Sequence, residues 1–144
     1  MEIDVVVKDD RTKIDKILSN FNDVNFEDKV GLLSEVNANA TEKGLYNEFG
    51  TAFAPARPFL EPTFLKNKNY IIQQVKKHLR AFDNPYSFMN DISTTMVQKI
   101  KHKIDVMKYP KLADSTVQRK GHDMLLKDTM EMYNAITYKR YRRK

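Results

Sequence analysis

Residues 86–107, YSFMNDISTTMVQKIKHKIDVM, decide the fold class. Phe88, Ile92, Met96, Ile100 and Ile104 recur every four residues, while Lys99, Lys101, His102 and Lys103 occupy the other side. Such a period sets the apolar residues on one stripe of an α-helix, so the spacing predicts a long helix with a buried face from about Tyr86 to Met107. Asn84-Pro85 and Tyr109-Pro110 bracket it. Proline lacks the N–H and drives the residue before it away from helical angles, so both ends are defined.

Working back from that helix, residues 59–82 read as a second long helix. Pro62 is tolerable in its first turn, and Ile71, Val75, Leu79 and Phe82 form its expected buried stripe. Residues 51–58 form an extended loop stiffened by Pro55 and Pro58. Before it, the polar turn 37–41 can cap a short helix over 41–49, with Leu45 and Phe49 on one side and Gly50 at its left-handed end. Lys29–Val36 reads as a strand with Val30, Leu32 and Leu33 apolar and Gly31 a point of close backbone approach. Ile3, Val5 and Val7 alternate in a strand over 2–8. Ile14, Ile17, Leu18 and Phe21 line one face of a helix over 10–21, capped by Asp9 or Asp10.

Forward of the decisive helix, residues 111–120 make a turn-helix segment around Leu112, Ala113 and Val117. A loop over 121–127, a short helix over 128–134 and a final strand over 136–141 follow. The expected fold is α+β: a small mixed or antiparallel sheet of three or four short strands, packed with two long helices and several short ones.

The whole chain of 144 residues fits a single domain, 1–144, with a basic tail at about 139–144. It contains no cysteine, which excludes disulfides, thiolate metal sites and a cysteine nucleophile. No apolar run reaches the roughly 20 residues of a membrane span, and the acidic opening Met1–Val7 does not read as a signal peptide. The net charge of +6 is unevenly distributed. Residues 1–50 carry 11 acids and 6 bases, residues 51–144 carry 8 acids and 19 bases, and the last six residues alone contribute +5. Such asymmetry suits a polar assembly or a nearby polyanion.

The search for catalytic chemistry is empty. His78, His102 and His122 show no HxH or HxxxH spacing, and the first two sit in lysine-rich faces that favour solvated imidazoles. No serine elbow exists to partner His122-Asp123. Gly31, Gly44, Gly50 and Gly121 are too scattered for a phosphate-binding loop. Asp9-Asp10 and Glu27-Asp28 fall at element boundaries, where caps and turns account for them. The expectation is a protein that is not an enzyme and needs no cofactor or metal.

The connector around residues 45–64 is the most informative stretch. A helix end leads into a proline-stiffened loop that delivers Arg57 and Phe59 to the start of the next helix. Arg57, fixed by Pro58, can form a fork onto a carboxylate such as Glu48 or onto a carbonyl of the preceding turn. It either ties the loop to its own domain or makes a subunit contact. At the other end of the chain, Tyr138 and Tyr141 interleave with Lys139, Arg140, Arg142 and Arg143. That pattern serves base stacking and phosphate pairing, or equally a strand whose tyrosines pack while its cations face water.

Tyr46-Asn47-Glu48-Phe49-Gly50-Thr51, followed by Pro55-Ala56-Arg57-Pro58-Phe59-Leu60 and Pro62-Thr63-Phe64, resembles the tail-completion and neck proteins of long-tailed bacteriophages and prophages. A second block agrees: Leu112 to Gly121 with its Ser115-Thr116 and Arg119-Lys120-Gly121, then Leu126-Lys127-Asp128-Thr129, then Asn134-Ala135-Ile136-Thr137-Tyr138. Both blocks occur in the family's order and together frame most of residues 30–141. The family's glycine after Asp-Thr is Met130 here, so its tight turn is expected to give way to continuous helix. The basic residues after Tyr138 have no counterpart in the family pattern.

The resemblance implies a structural virion protein at the head–tail junction. It would be made in the host bacterial cytoplasm and assemble as a ring, six-fold in the family, that caps the tail or joins it to the connector. Tail terminator is a neighbouring role, and a small non-specific DNA-binding module is the alternative of another class. The implied partners are further copies of the chain, other neck or connector proteins, and tail-tube or terminator proteins, with non-specific contact to packaged DNA and none to membrane. A ring requires one face of a subunit to meet a different face of its neighbour. Candidate interface residues are Tyr46, Glu48, Phe49, Arg57 and Phe59; candidate polyanion or partner contacts are Lys139, Arg140, Arg142, Arg143 and Lys144.

Overall fold

A computed structural model describes residues 24–81, 83–108 and 110–143, together with Asp15 and Ser19. The strand expected over 2–8 and, apart from Asp15 and Ser19, the helix expected over 10–21 lie outside the described residues, as do Phe82, Tyr109 and Lys144. In chain order the elements are β1 (Phe26–Gly31), α1 (Ala38–Phe49), α2 (Glu61–Arg80), α3 (Pro85–Asp105), α4 (Asp114–Lys120), α5 (Glu131–Ala135) and β2 (Thr137–Arg142).

The periodic stripe of α3 is buried throughout: Phe88, Ile92, Met96, Ile100 and Ile104 are each at most 5% exposed. Asn84 caps the helix by accepting the Tyr86 N–H at 2.9 Å, and Pro85 opens it. The first half of the stripe packs against Ile71 and Val75 of α2. The second half, Ile100 and Ile104, joins Phe59, Met132 and Ile136. Val30 and Phe64 touch both groups, so one core runs the length of α3. Leu79 departs from the stripe expected of α2. It is 38% exposed, and Thr63 and Phe64 face inward at the other end of the helix.

The sheet is smaller than the three or four strands expected. Among the described residues it is a two-stranded antiparallel ribbon, β1 against β2, and those residues are 56% helix and 12% strand. Helices therefore carry the core. The strand expected over 29–36 begins earlier and stops sooner, because the ladder runs from Phe26 opposite Arg142 to Gly31 opposite Thr137. Gly31 has a φ of 135°, the backbone leaves the ladder there, and Leu32 turns into the core without pairing. Glu27-Asp28, expected at an element boundary, lies inside β1, and Asp28 is matched across the ribbon by Arg140. The run expected as a tail therefore lies, through Arg142, in β2.

The short helix expected over 128–134 is confined to Glu131–Ala135. Met130 has a φ of 60° and sits in the left-handed region directly ahead of it. The tight turn expected to dissolve into helix is thus present, with methionine where a glycine would be unstrained.

Candidate functional site

The connector is held at three points. At the first, Gly50 ends α1 with a φ of 76°; a Cβ there would lie 2.8 Å from the Ala56 backbone nitrogen, so the return of the chain needs glycine. The Arg57 N–H then donates to the Asn47 carbonyl at 2.6 Å, laying the connector back along α1.

At the second point, Glu48 inserts its carboxylate into the start of α2. Oε2 accepts the N–H groups of Phe59 and Leu60 at 2.8 and 2.9 Å, and Oε1 accepts that of Glu61 at 2.8 Å. The first turn of a helix leaves such donors without partners, and its positive end favours an anion. A nearly buried glutamate from the preceding helix does the work of a cap that Leu60 has no side chain to supply.

The third point is Arg57. Its fork meets neither Glu48 nor the preceding turn. Nε donates to the Pro110 carbonyl at 2.9 Å and Nη2 to the Lys111 carbonyl at 3.0 Å, so the connector is riveted to the segment after α3. Burial pushes the guanidinium pKa down from its ordinary value, but two neutral carbonyls keep the cation hydrogen-bonded.

These contacts create a cleft of about 590 Å³. One wall is α1, with Lys43 and Asn47; the connector supplies Phe53, Pro55 and Arg57. The opposite side is the second sequence block: Thr116, Arg119 and Lys120 of α4, then Asp128 and Thr129. Blocks 48 residues apart in the chain thus line one cavity. Its floor is tied to α1 through Glu131, which accepts from Lys43 at 2.6 Å and from Asn39 at 3.0 Å. The Lys43 hydrogen bond, with those of Asn39 and Asn37, holds the Glu131 carboxyl below its ordinary value.

Of the candidate interface residues, Phe59 is wholly buried and Glu48 and Arg57 nearly so, and all three act inside the subunit. Tyr46 and Phe49 remain on the surface, 53% and 73% exposed. The structure adds Phe53, which carried no role in the sequence. It stands 100% exposed at the lip of the cleft, on a tight turn closed by the Thr51 N–H donating to the Ala54 carbonyl at 2.9 Å.

The C-terminal cations divide. Arg140 is committed to Asp28, and its guanidinium lies 4.2 Å from the centre of the Phe26 ring. Lys139 sits over Tyr141, and Arg143 reaches only to 3.9 Å from Glu27. Arg142 is exposed. His78, expected to be solvated, stacks on Phe88 and places Nδ1 2.6 Å from Asp83 Oδ2, closing the turn between α2 and α3.

No family model matches the chain, and no curated protein or solved structure matches it either. Among the described residues no group of three or more His, Cys, Asp or Glu side chains is placed to hold a metal ion, and no helix is long and apolar enough to cross a membrane.

Proposed function

We propose that this chain is a structural subunit of the head–tail junction of a tailed bacteriophage, working by stoichiometric assembly into a ring that caps the tail or joins it to the connector. The observation that carries the reading is the shared cleft: the two sequence blocks behind the resemblance to neck and tail-completion proteins line it together. Large apolar side chains of α1 and the connector, Leu45, Tyr46, Phe49 and Phe53, stay on the surface of the single copy. Exposed apolar side chains of this size are available for a protein–protein contact.

Light scattering coupled to size exclusion, on the protein alone and with purified tails, tests the reading. The expected result is a ring-sized species or a stable complex with tails. A protein that stays monomeric and ignores tails overturns it.

Non-specific contact with DNA is a second reading, favoured by α2. Lys66, Lys68, Lys76, Lys77 and Arg80 lie on its outer side, residues 62–82 contain no carboxylate, and none of the five cations has an ion-pair partner among the described residues. Phosphate contact of this sort weakens steeply with salt. Affinity for a random duplex that is independent of salt would refute it.

A further inference from the structure

Phe53 has a counterpart elsewhere on the same chain. Leu32, Leu45, Phe49 and Leu60 line an apolar pocket of about 270 Å³ on the far side of α1. A dry cavity of about 150 Å³ already accepts a benzene ring, so this one has room for a phenyl group. From this geometry we infer that Phe53 of one copy enters that pocket on the next copy and anchors a head-to-tail contact. The inference rests on the proposal of a self-assembling subunit and names the residues that would join it.

The placement of knob and hole argues for a second copy as the occupant. Thr41, Gly44, Leu45, Glu48 and Phe49, at i, i+3, i+4, i+7 and i+8, share one side of α1 and face the pocket. Lys43 and Asn47, which line the cleft beside Phe53, lie on the opposite side of the helix. The two features therefore sit on different faces of the subunit, and a contact between them is heterologous. Repeated, it closes into a ring or continues as a filament.

The knob is also pre-organised. The Phe53 and Ala54 N–H groups donate to Thr51 Oγ1 at 3.2 and 3.0 Å, and the Thr51–Ala54 backbone bonds close the turn. A knob whose backbone is already fixed in a turn loses little main-chain freedom on docking. Buried aromatics at the centre of an interface are where binding energy concentrates.

Two surface substitutions test the contact: Phe53→Ser removes the knob and Leu45→Glu spoils the pocket. Each variant alone should fold with an unchanged circular dichroism spectrum, lose about thirtyfold or more in self-association, and run as a monomer in light scattering. Mixed together, they should form a one-to-one pair and nothing larger, because only one intact knob then meets one intact pocket. If wild type forms rings and both variants do too, the Phe53 contact is overturned while the ring proposal stands. Wild type that remains monomeric even with purified tails overturns both. A wild-type particle that stops at two copies overturns the head-to-tail arrangement.

Discussion

Arg140 grips Asp28 with two parallel hydrogen bonds, Nε to Oδ1 at 2.7 Å and Nη2 to Oδ2 at 2.8 Å, across a ribbon whose strands lie more than a hundred residues apart in the chain. The Ser93 hydroxyl of α3 donates to the same carboxylate at 2.9 Å. Strand β1, strand β2 and the decisive helix are thus pinned at one buried charge. The Asp28 side chain is 1% exposed.

That arrangement makes stability depend on acid. Burial alone would raise the Asp28 pKa, but the hydrogen bonds from Arg140 and Ser93 and the charge of Arg140 outweigh it, leaving the carboxyl below its ordinary 3.8. The unfolded chain then binds this proton more readily than the folded one. The contribution is complete above pH 3.8 and is lost as the pH falls through the lower folded-state value. Thermal melts from neutral pH downward should show the midpoint dropping in that acid range. Asp28→Asn should flatten this part of the profile and cost about 3 kcal/mol at neutral pH, because Arg140 is left without its counter-ion.

The same pair shows what could be read from the letters. The stripe of α3 was legible because helical periodicity is local: five residues at fixed spacing define a face without reference to the rest of the chain. Strand β1 was displaced because the fitness of Asp28 for a buried position depends on Arg140, and no local pattern reveals a partner that distant. The connector shows the same division. Glu48 and Arg57 stood out as candidates, yet their partners, the first turn of α2 and the carbonyls of Pro110 and Lys111, are set by how α1 and the segment after α3 fold against it. Phe53 was missed because an aromatic in a loop usually seeks a core, and only the closed turn holds it outside.

Glu48 should be costly to remove. Glu48→Ala leaves three N–H groups at the start of α2 without an acceptor in a buried place, for a loss of about 2–4 kcal/mol in urea unfolding. Glu48→Gln keeps one carbonyl oxygen and should recover about half of that. A glutamine variant as stable as wild type would show that the carboxylate's second oxygen and charge contribute nothing.

Arg57 should behave as a rivet whose shape matters. Arg57→Ala removes two charge-assisted hydrogen bonds and should cost about 2–3 kcal/mol. Arg57→Lys retains the charge but lacks the fork needed to meet two carbonyls at once, so it should recover less than half. Amide hydrogen exchange should rise at residues 111–113 in both variants while α3 stays protected. A lysine variant as stable as wild type would rule out the fork.

Met130 carries strain that can be relieved. Its left-handed backbone disfavours any side chain, and at the corresponding place the resembled family carries glycine. Met130→Gly should raise stability by about 0.5–1 kcal/mol despite the greater freedom it gives the unfolded chain. The thermal midpoint should rise by a few degrees; a fall would mean that the methionine's own contacts outweigh the strain.

The C-terminal cations should separate cleanly by truncation. Deleting 139–144 removes four of the six residues of β2, together with Arg140, and leaves Asp28 buried without a counter-ion. That loss falls on the sheet and on the packing of α3, so the protein should unfold or melt far below wild type. Deleting only Arg143 and Lys144 spares the Asp28–Arg140 pair; it gives up the Arg143 N–H bond to the Asn25 carbonyl at 2.9 Å and a long contact to the half-exposed Glu27, which is worth little in water. The shorter deletion should therefore melt within about 1 kcal/mol of wild type. If the longer deletion also folds normally, Arg140 is dispensable to the sheet and the acid sensitivity assigned to Asp28 must arise elsewhere.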